Sequence, residues 1–281
     1  MKLSIAIADA NALPSAFVVY RGFKECIPKA AQLGYHGVEL ALKRAEEIKV
    51  SDLRSLLEEN HLEVSCISTG QVYADGGLSL THENDQVREK VKSIFRELID
   101  LAEVFGKIVN IGRVRGPIGT RPRALVEDLF ITESRELCDY ALSRGVTLIL
   151  EPVNRYEIDF INSVEEGVVL MKKIGKDIMM VMPDVFHMNI EDVSIGPVLA
   201  KHIQYIKYIH FADSNRKAPG QGHTDFPAIL NFLYTAGYDG WVSAEILPLP
   251  DADTAARLTA KYLLPMIYQY NKKRQNSLAI R

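Results

Sequence analysis

Short apolar runs rich in β-branched residues recur along the whole sequence, each ending in polar or glycine residues and each followed by a helical pattern. Eight runs are predicted to be strands: Leu3–Ala8, Gly37–Leu40, Val64–Ser68, Ile108–Gly112, Thr147–Glu151, Ile178–Pro183, Tyr208–Phe211 and Trp241–Glu245. The 281 residues thus divide into eight strand–helix units of about 35 residues, the size of the repeat in an α/β barrel. Because no linker interrupts them, we expect one domain over residues 1–281, a single (β/α)8 TIM barrel. A doubly wound sheet is the structural alternative, since periodicity does not reveal strand order.

Helix signals fill the segments between the strands. Apolar residues keep a 3.6-residue period from Val87 to Leu101, and Ser163 with Glu166 forms the pattern of a capping box. Asp225 is expected to cap the helix that follows it. Glycines stand where the predicted helices end, as is typical of helix C-termini: Gly34, Gly106, Gly145, Gly175 and Gly237.

Composition and charge exclude several classes of partner. The chain has 33 Lys and Arg residues against 36 Asp and Glu, a net charge of −3, so nucleic-acid binding is not expected. Its three cysteines are odd in number and widely spaced, which favours a reducing cytoplasm over a disulfide framework. The first apolar run is too short for a signal peptide, and no stretch approaches the roughly 20 apolar residues of a membrane span. We therefore expect a cytoplasmic protein with no membrane partner.

Four successive predicted strands, the fifth to the eighth, each end in a side chain that can bind a metal: Glu151, Asp184, His210 and Glu245. Because the active sites of such barrels lie at the carboxyl ends of the strands, the four should meet at one rim. A single carboxylate there could cap a helix or form an ion pair. Four successive strands that each end in such a polar residue would leave several part-buried charges unpaired, which is energetically costly. This ligand set around an open position suits Mn²⁺, with Mg²⁺ or Co²⁺ as alternatives, better than a closed zinc site.

Longer motifs surround the four strand-end residues. They read Glu151-Pro-Val-Asn-Arg-Tyr-Glu157, Asp184-Val-Phe-His187-Met-Asn-Ile-Glu191, His210-Phe-Ala-Asp-Ser-Asn-Arg216-Lys-Ala-Pro-Gly220 and Ala244-Glu245. Together they resemble the D-tagatose/D-psicose 3-epimerase group of the xylose isomerase-like sugar isomerases and epimerases. The resemblance covers essentially the whole chain and implies that Glu151, Asp184, His210 and Glu245 are metal ligands. It also implies that Glu157, His187 and Arg216 hold the substrate.

The chemistry of epimerisation fits these residues. Inverting the carbon next to a ketone removes a proton from one face and returns one to the other through a cis-enediolate, whose charge a divalent cation stabilises. Glu151 and Glu245 come from non-adjacent strands and can flank the substrate, so we expect them to be the two catalytic residues that exchange protons. From the residues alone, His187 could instead support a metal ligand, Glu157 could be a surface carboxylate, and Arg216 could pair with Asp213.

Two further stretches bear on the substrate. Arg113 and Arg115 follow the fourth strand, where free-ketose epimerases tend to present an aromatic residue to the sugar. Guanidinium groups bind carboxylate or phosphate bidentately, so two of them indicate an anionic substrate, although either could be a solvated loop charge. The stretch Ser68–Thr81, which contains Gln71, resembles the 5-keto-L-gluconate epimerases of inositol catabolism. We predict a keto sugar acid as the substrate, contacted by Gln71, Arg113, Arg115 and Cys66, although packing is the more ordinary role for Cys66.

Other activities remain open on the same scaffold. Free ketoses such as D-tagatose, D-psicose or L-ribulose are the next candidate substrates, and a keto-inositol dehydratase or a hydroxypyruvate-type isomerase would share the fold and the metal. An abasic-site endonuclease is disfavoured because it would need further histidines, where the sequence has Thr69-Gly70-Gln71 and Gly112-Arg113-Val114. A non-catalytic barrel would have no use for four strand-end ligands. The loop Leu247-Pro-Leu-Pro250 and the exposed barrel helices favour a homo-oligomer, either a dimer or a tetramer.

Overall fold

The computed structural model describes residues 1–13, 17–74 and 76–279, and its main sheet is entirely parallel. The eight strands of the barrel are β1 (Lys2–Ala8), β2 (Gly37–Ala41), β3 (Glu63–Ser68), β4 (Ile108–Ile111), β5 (Thr147–Leu150), β6 (Met179–Val181), β7 (Tyr208–His210) and β8 (Trp241–Ala244). A two-residue strand, Tyr20–Arg21, pairs with the end of β1. The strands from β1 to β6 pair in chain order, β8 pairs with β1 and β7, and the bridges Val181–Ile206 and Asp184–His210 close the ring between β6 and β7. The predicted barrel is confirmed, and the doubly wound sheet is excluded.

Helices follow every strand of the barrel. They are α1 (Phe23–Gln32), α2 (Val50–Asn60), α3 (Gly70–Ala74), α4 (Asp85–Val104), α5 (Arg123–Ser143), α6 (Val164–Ile174), α7 (Val185–Glu191), α8 (Ile195–His202), α9 (Phe226–Thr235) and α10 (Ala252–Ala279). Short 3₁₀ turns lie at Ala45–Glu47, Arg113–Arg115 and Ile203–Tyr205. Within the described ranges, none of these helices combines the length and the apolar character needed to cross a membrane.

The predicted helix ends are found in the structure. Ser163 Oγ accepts the Glu166 amide at 3.2 Å, while Glu166 Oε2 accepts the amide of Asn162 at 2.7 Å, so the capping box is displaced by one residue. Gly175 ends α6 with a φ of 68°, in the left-handed region that glycine enters without steric penalty. Asp225 caps α9 as predicted, accepting the amide of Ala228 at 3.0 Å.

The period of two along the strands separates two apolar layers. Leu3, Ile5 and Ile7 of β1 belong to the main core cluster, which also contains residues of the surrounding helices. A separate cluster of Cys66, Ile108, Ile149, Met182 and Tyr208 fills the inside of the barrel. Because both faces of the sheet are buried, the strands read as nearly continuous apolar runs, and the polar residues that interrupt them mark positions of interest.

Candidate metal centre and active site

The four strand-end residues predicted to bind a metal meet at the carboxyl ends of β5 to β8. Glu151 follows β5 directly, Asp184 lies three residues past β6, His210 ends β7 and Glu245 follows β8 directly. One ligand atom from each of them lies within 4.8 Å of the other three. Parallel strands present their ends at the same rim, so the barrel itself brings together residues that are far apart in the sequence.

Two atoms of this cluster are buried without a hydrogen-bond partner among the described residues: His210 Nδ1 and Asp184 Oδ2. His210 Nδ1 lies 3.3 Å from Glu151 Oε1 and 3.7 Å from Glu245 Oε2. Buried polar atoms are rarely left unpaired, and a bound ion is one of the few explanations. The donor set of three carboxylates and one imidazole therefore fits a divalent cation held between these atoms.

The ionisation of the clustered carboxylates also indicates a bound cation. Burial raises the pKa of Glu245 to about 8, and the neighbouring charge of Glu151 adds to this against the opposing effect of His210. Burial likewise raises the pKa of Asp184 to about 6. Burial opposes ionisation of Glu151 too, but the nearby imidazole of His210, 3.3 Å away, outweighs it and lowers the pKa of Glu151 to about 2. Three carboxylates cannot readily ionise together in so buried a place unless a cation neutralises them.

A recess opens above the cluster, and Glu151 and Glu245 line part of it. Its described lining includes seven of the predicted site residues: Gln71, Arg113, Glu151, Glu157, His187, Arg216 and Glu245. Leu13, Phe17 and Val18 supply an apolar part of the wall. A mixture of apolar walls with a few converging polar groups is typical of a small-molecule site. Asp75, within the stretch Ser68–Thr81, lies outside the described residues.

Arg216 connects the cluster to the wall of the recess. Its Nη2 donates to Glu245 Oε2 at 2.9 Å and its Nη1 donates to Glu157 Oε1 at 2.6 Å. The guanidinium carbon lies 3.8 Å from the ring centre of Phe17 and 4.9 Å from that of Phe186. Arg216 has a φ of 58°, a left-handed conformation uncommon for a residue other than glycine. The side chain therefore pairs with Glu157 and Glu245, and the sequence alternative of a pair with Asp213 is wrong.

His187 is oriented by Asn154. The Asn154 amide is fixed because its Oδ1 accepts the backbone amide of Tyr156 at 3.0 Å, so its Nδ2 must donate to His187 Nδ1 at 2.7 Å. Burial, together with the charge of Arg216, lowers the pKa of His187 well below its usual value, which makes the ring neutral. A neutral ring that accepts at Nδ1 carries its hydrogen on Nε2, which lies 3.6 Å from Asp184 Oδ2.

Gln71 and Arg113 keep groups available to a ligand. Gln71 Nε2 donates to the Ala41 carbonyl at 2.7 Å, which fixes the amide and leaves its buried Oε1 without a partner among the described residues. Arg113 Nη1 lies 3.8 Å from Glu157 Oε2, beyond hydrogen-bond distance, and the guanidinium packs 5.8 Å from the ring centre of Phe17.

Two of the predicted substrate contacts are corrected. Arg115 is fully buried and donates to three backbone carbonyls, those of Gly112, Phe160 and Ile161, at 2.9, 2.7 and 2.9 Å. These hydrogen bonds connect the loop after β4 with the loop after β5. Cys66 is fully buried in the apolar cluster inside the barrel and does not line the recess, and burial raises the pKa of its thiol well above the usual value.

The sequence reasoning missed several residues of the site. Asn110 Nδ2 donates to Glu151 Oε2 at 3.1 Å, and Glu39 contacts His210 from inside the barrel. Both are polar residues in the middle of apolar strands, and a polar residue at such a buried position could have marked them as candidates for the site. Asn154 and Phe17 lie in loops, where no comparable signal marks them.

Comparisons with known proteins extend over most of the chain. A family model described as xylose isomerase-like TIM barrel matches residues 27–264. An L-ribulose 3-epimerase from Methylomonas sp. is 27% identical over 235 residues, covering 80% of this chain and 78% of that protein. A 3-dehydro-D-guloside 4-epimerase from Escherichia coli is 28% identical over 222 residues, covering 76% and 83%. The solved structure of a D-psicose 3-epimerase from Clostridium cellulolyticum with D-tagatose has a TM-score of 0.79 at 22% identity, covering 95% of this chain and 99% of that one, and so shares the fold.

Proposed function

The chain belongs to the xylose isomerase-like TIM-barrel family, and we propose that it is a carbohydrate epimerase that uses a divalent cation to invert the carbon next to the ketone of a keto sugar acid. The observation that carries the proposal is the cluster of Glu151, Asp184, His210 and Glu245 at the floor of the recess, with two buried atoms that have no hydrogen-bond partner among the described residues. The epimerase names of relatives that match over three quarters of the chain support the reaction type.

The four clustered side chains would hold the cation, for which Mn²⁺ is our first choice. When bound, such a cation supplies Lewis-acid stabilisation of the negative charge that develops on the substrate oxygens. Glu151 Oε1 and Glu245 Oε2 face His210 Nδ1 and belong to the cluster. The second oxygen of each carboxylate remains for proton exchange: Glu151 Oε2, which Asn110 orients, and Glu245 Oε1. One glutamate removes the proton next to the ketone and the other returns a proton to the opposite face.

The other polar groups of the recess suit a hydroxylated, negatively charged substrate. His187 Nε2–H can donate to a substrate oxygen, and Gln71 Oε1 can accept from a hydroxyl group. Arg113 is the cation of the recess that no carboxylate engages at hydrogen-bond distance in the described part of the chain. A substrate carboxylate could accept two parallel hydrogen bonds from the Arg113 guanidinium. We therefore propose a substrate of the 5-keto-L-gluconate to D-tagaturonate type, with the free ketoses as the alternative.

Metal content tests the cluster directly. Protein loaded with Mn²⁺ and then dialysed should retain about one ion per chain by elemental analysis, and Asp184→Asn should retain much less. Asparagine keeps the side-chain oxygen that accepts the Phe186 amide at 2.8 Å, so the variant removes the charge without removing the helix cap. Equal metal contents in the two proteins would refute the ligand assignment.

A substrate panel tests the claim for a keto acid. With Mn²⁺ present, we expect 5-keto-L-gluconate or D-tagaturonate to be converted faster than D-tagatose, D-psicose or L-ribulose, as followed by chromatography. Arg113→Met should lower kcat/KM for the keto acid by roughly 10- to 100-fold, the value of one hydrogen bond to a charged group, and should change the neutral ketoses little. Arg155→Met is the matched control, because Arg155 pairs with Glu191 at 2.8 Å and does not line the recess. Equal losses on acid and neutral substrates would remove the role of Arg113.

Product analysis in D₂O separates the remaining activities. An epimerase that exchanges protons through two glutamates should place deuterium on the carbon next to the ketone. A dehydratase would release water and give an unsaturated or diketo product, and an aldose–ketose isomerase would move the carbonyl to the neighbouring carbon. Epimerised product that retains all its protium would argue against the two-glutamate mechanism.

A further inference from the structure

Glu39 is a carboxylate buried inside the barrel, and the reaction as described above does not use it. It stands in the middle of β2, where the neighbours Val38 and Leu40 point into the main core cluster and send Glu39 to the opposite face. The residue is fully buried. A carboxylate in such a place is strongly disfavoured unless it is paired, so its partners indicate what it is there to do.

The partners of Glu39 come from β7. His210 Nε2 lies 3.0 Å from Glu39 Oε2 and 3.2 Å from Oε1, and Tyr208 donates its hydroxyl hydrogen to Oε2 at 2.9 Å. The Tyr208 oxygen is itself 2.7 Å from Ser65 Oγ and 3.0 Å from Ser4 Oγ, so hydroxyl groups of β1 and β3 support it. The carboxylate is therefore held from several strands and presents both oxygens to one edge of the imidazole.

We propose that Glu39 is a positioning residue that holds His210 as the Nε2–H tautomer and so turns the lone pair of Nδ1 towards the cation site. A carboxylate only accepts hydrogen bonds, so the imidazole nitrogen that faces it must carry the hydrogen. The other nitrogen, Nδ1, faces Glu151 and Glu245, and it is buried with no hydrogen-bond partner in the part of the chain that the structure describes. The inference rests on the proposed cation site and adds that the affinity of this site depends on a residue that does not touch the ion.

General experience with metal sites gives the expected size of the effect. A histidine ligand usually donates its second N–H to a carboxylate or carbonyl, which fixes the ring and raises the basicity of the ligand nitrogen. Replacing such a partner weakens metal binding by about 10- to 100-fold. Glu39→Gln is the appropriate variant, because the amide keeps the volume and an oxygen that can accept from Nε2, and removes the charge.

The test is a competition titration of the apoprotein with Mn²⁺ against a chelating indicator, together with the visible absorption of the Co²⁺ form. We expect Glu39→Gln to bind Mn²⁺ about 10- to 100-fold more weakly and to show a shifted Co²⁺ spectrum, which a merely structural role would not produce. Glu191→Gln is the matched control, because Glu191 is also a largely buried carboxylate, paired with Arg155 and outside the cluster. It should bind Mn²⁺ like the wild type.

The outcomes are distinguishable. Wild-type binding together with unchanged affinity and spectrum in Glu39→Gln overturns the role of Glu39 and leaves the proposed function standing. A wild type that binds neither Mn²⁺ nor Co²⁺ overturns the cation site, and the role of Glu39 with it. If Glu39→Gln does not fold, Tyr208→Phe replaces it: this variant removes the second donor to Glu39 and should weaken Mn²⁺ binding in the same direction by a smaller factor, and unchanged affinity there overturns the inference.

Discussion

Arg115 and Arg113 stand two residues apart, and the structure predicts opposite consequences for their replacement. Arg115→Met keeps most of the side-chain volume but leaves three buried carbonyls without their donor, those of Gly112, Phe160 and Ile161. Ile161 is a β-branched residue with a φ of 60°, an unfavourable conformation that the hydrogen bond from Arg115 helps to hold. The substitution should therefore destabilise the fold rather than alter substrate choice.

The magnitude follows from two opposing contributions. Hydrogen bonds from a charged donor contribute about 1.5–3 kcal/mol each, so the three together contribute about 5–9 kcal/mol. Burial lowers the pKa of Arg115 to about 10, which shows that keeping its charge inside the protein offsets about 3 kcal/mol of this gain. Arg115→Met should thus lower the free energy of unfolding by about 2–6 kcal/mol. Arg113→Met should lower it by at most about 1 kcal/mol, because its ion pair with Glu157 is long and part-exposed.

Urea unfolding at neutral pH, followed by circular dichroism and by the fluorescence of Trp241, measures both values. The urea concentration at the midpoint of unfolding should be lower for Arg115→Met than for the wild type, with an unchanged slope of the unfolding free energy against urea concentration. Arg113→Met should unfold at a urea concentration close to that of the wild type and should lose activity on the keto acid. A loss below about 1 kcal/mol for Arg115→Met, combined with a change in substrate preference, would refute the assignment of the two arginines.

Three further outcomes are expected. Asp192→Asn should raise the melting temperature at pH 7.5, because burial raises the folded-state pKa of Asp192 to about 6. The ionised carboxylate destabilises the fold above pH 6, and this effect fades as the pH falls from 6 towards the unfolded-state pKa near 4. A melting temperature still raised to the same extent at pH 4.5 would contradict this explanation. Lys92→Met should destabilise by about 1.5–3 kcal/mol in urea, the value of one hydrogen bond from a charged donor. Lys92 Nζ lies 2.8 Å from the buried Glu133, which keeps Arg88 at 3.0 Å, and an unaffected midpoint would show that Glu133 does not need Lys92. Ser163→Ala should remove about 1 kcal/mol through the lost cap of α6, measured against Ser163→Gly, which should lose less.

Most of the fold was predictable because it follows from local patterns. Strand and helix alternation, helix-ending glycines such as Gly175 and caps such as Asp225 are properties of short segments, and the structure confirms them. The four clustered residues were predictable for a related reason. A residue at a strand end needs only the closure of a parallel barrel to reach its partners, so Glu151, Asp184, His210 and Glu245 could be grouped before any distance was known.

Roles that depend on side-chain direction could not be predicted in this way. Arg113 and Arg115 have the same chemistry and nearly the same position in the chain, yet one lines the recess and the other is fully buried against the loop after β5. The 3₁₀ turn at Arg113–Arg115 sends the two side chains in different directions, and which of them finds partners depends on a segment about 45 residues further along the chain.

The sequence by itself determined the eight strand–helix units, their approximate ends and the chemistry carried at the last four strand ends, because periodicity and residue type are local. Only the tertiary structure decided that Glu39 meets His210 across 171 residues, that Asn154 sets the hydrogen on His187, and that Arg115 supports the backbone. Such pairings form when the barrel closes and fills its interior, and their strength depends on burial and on distances of about 3 Å. Each of these distances joins residues from separate segments, so no single segment of the sequence predicts it.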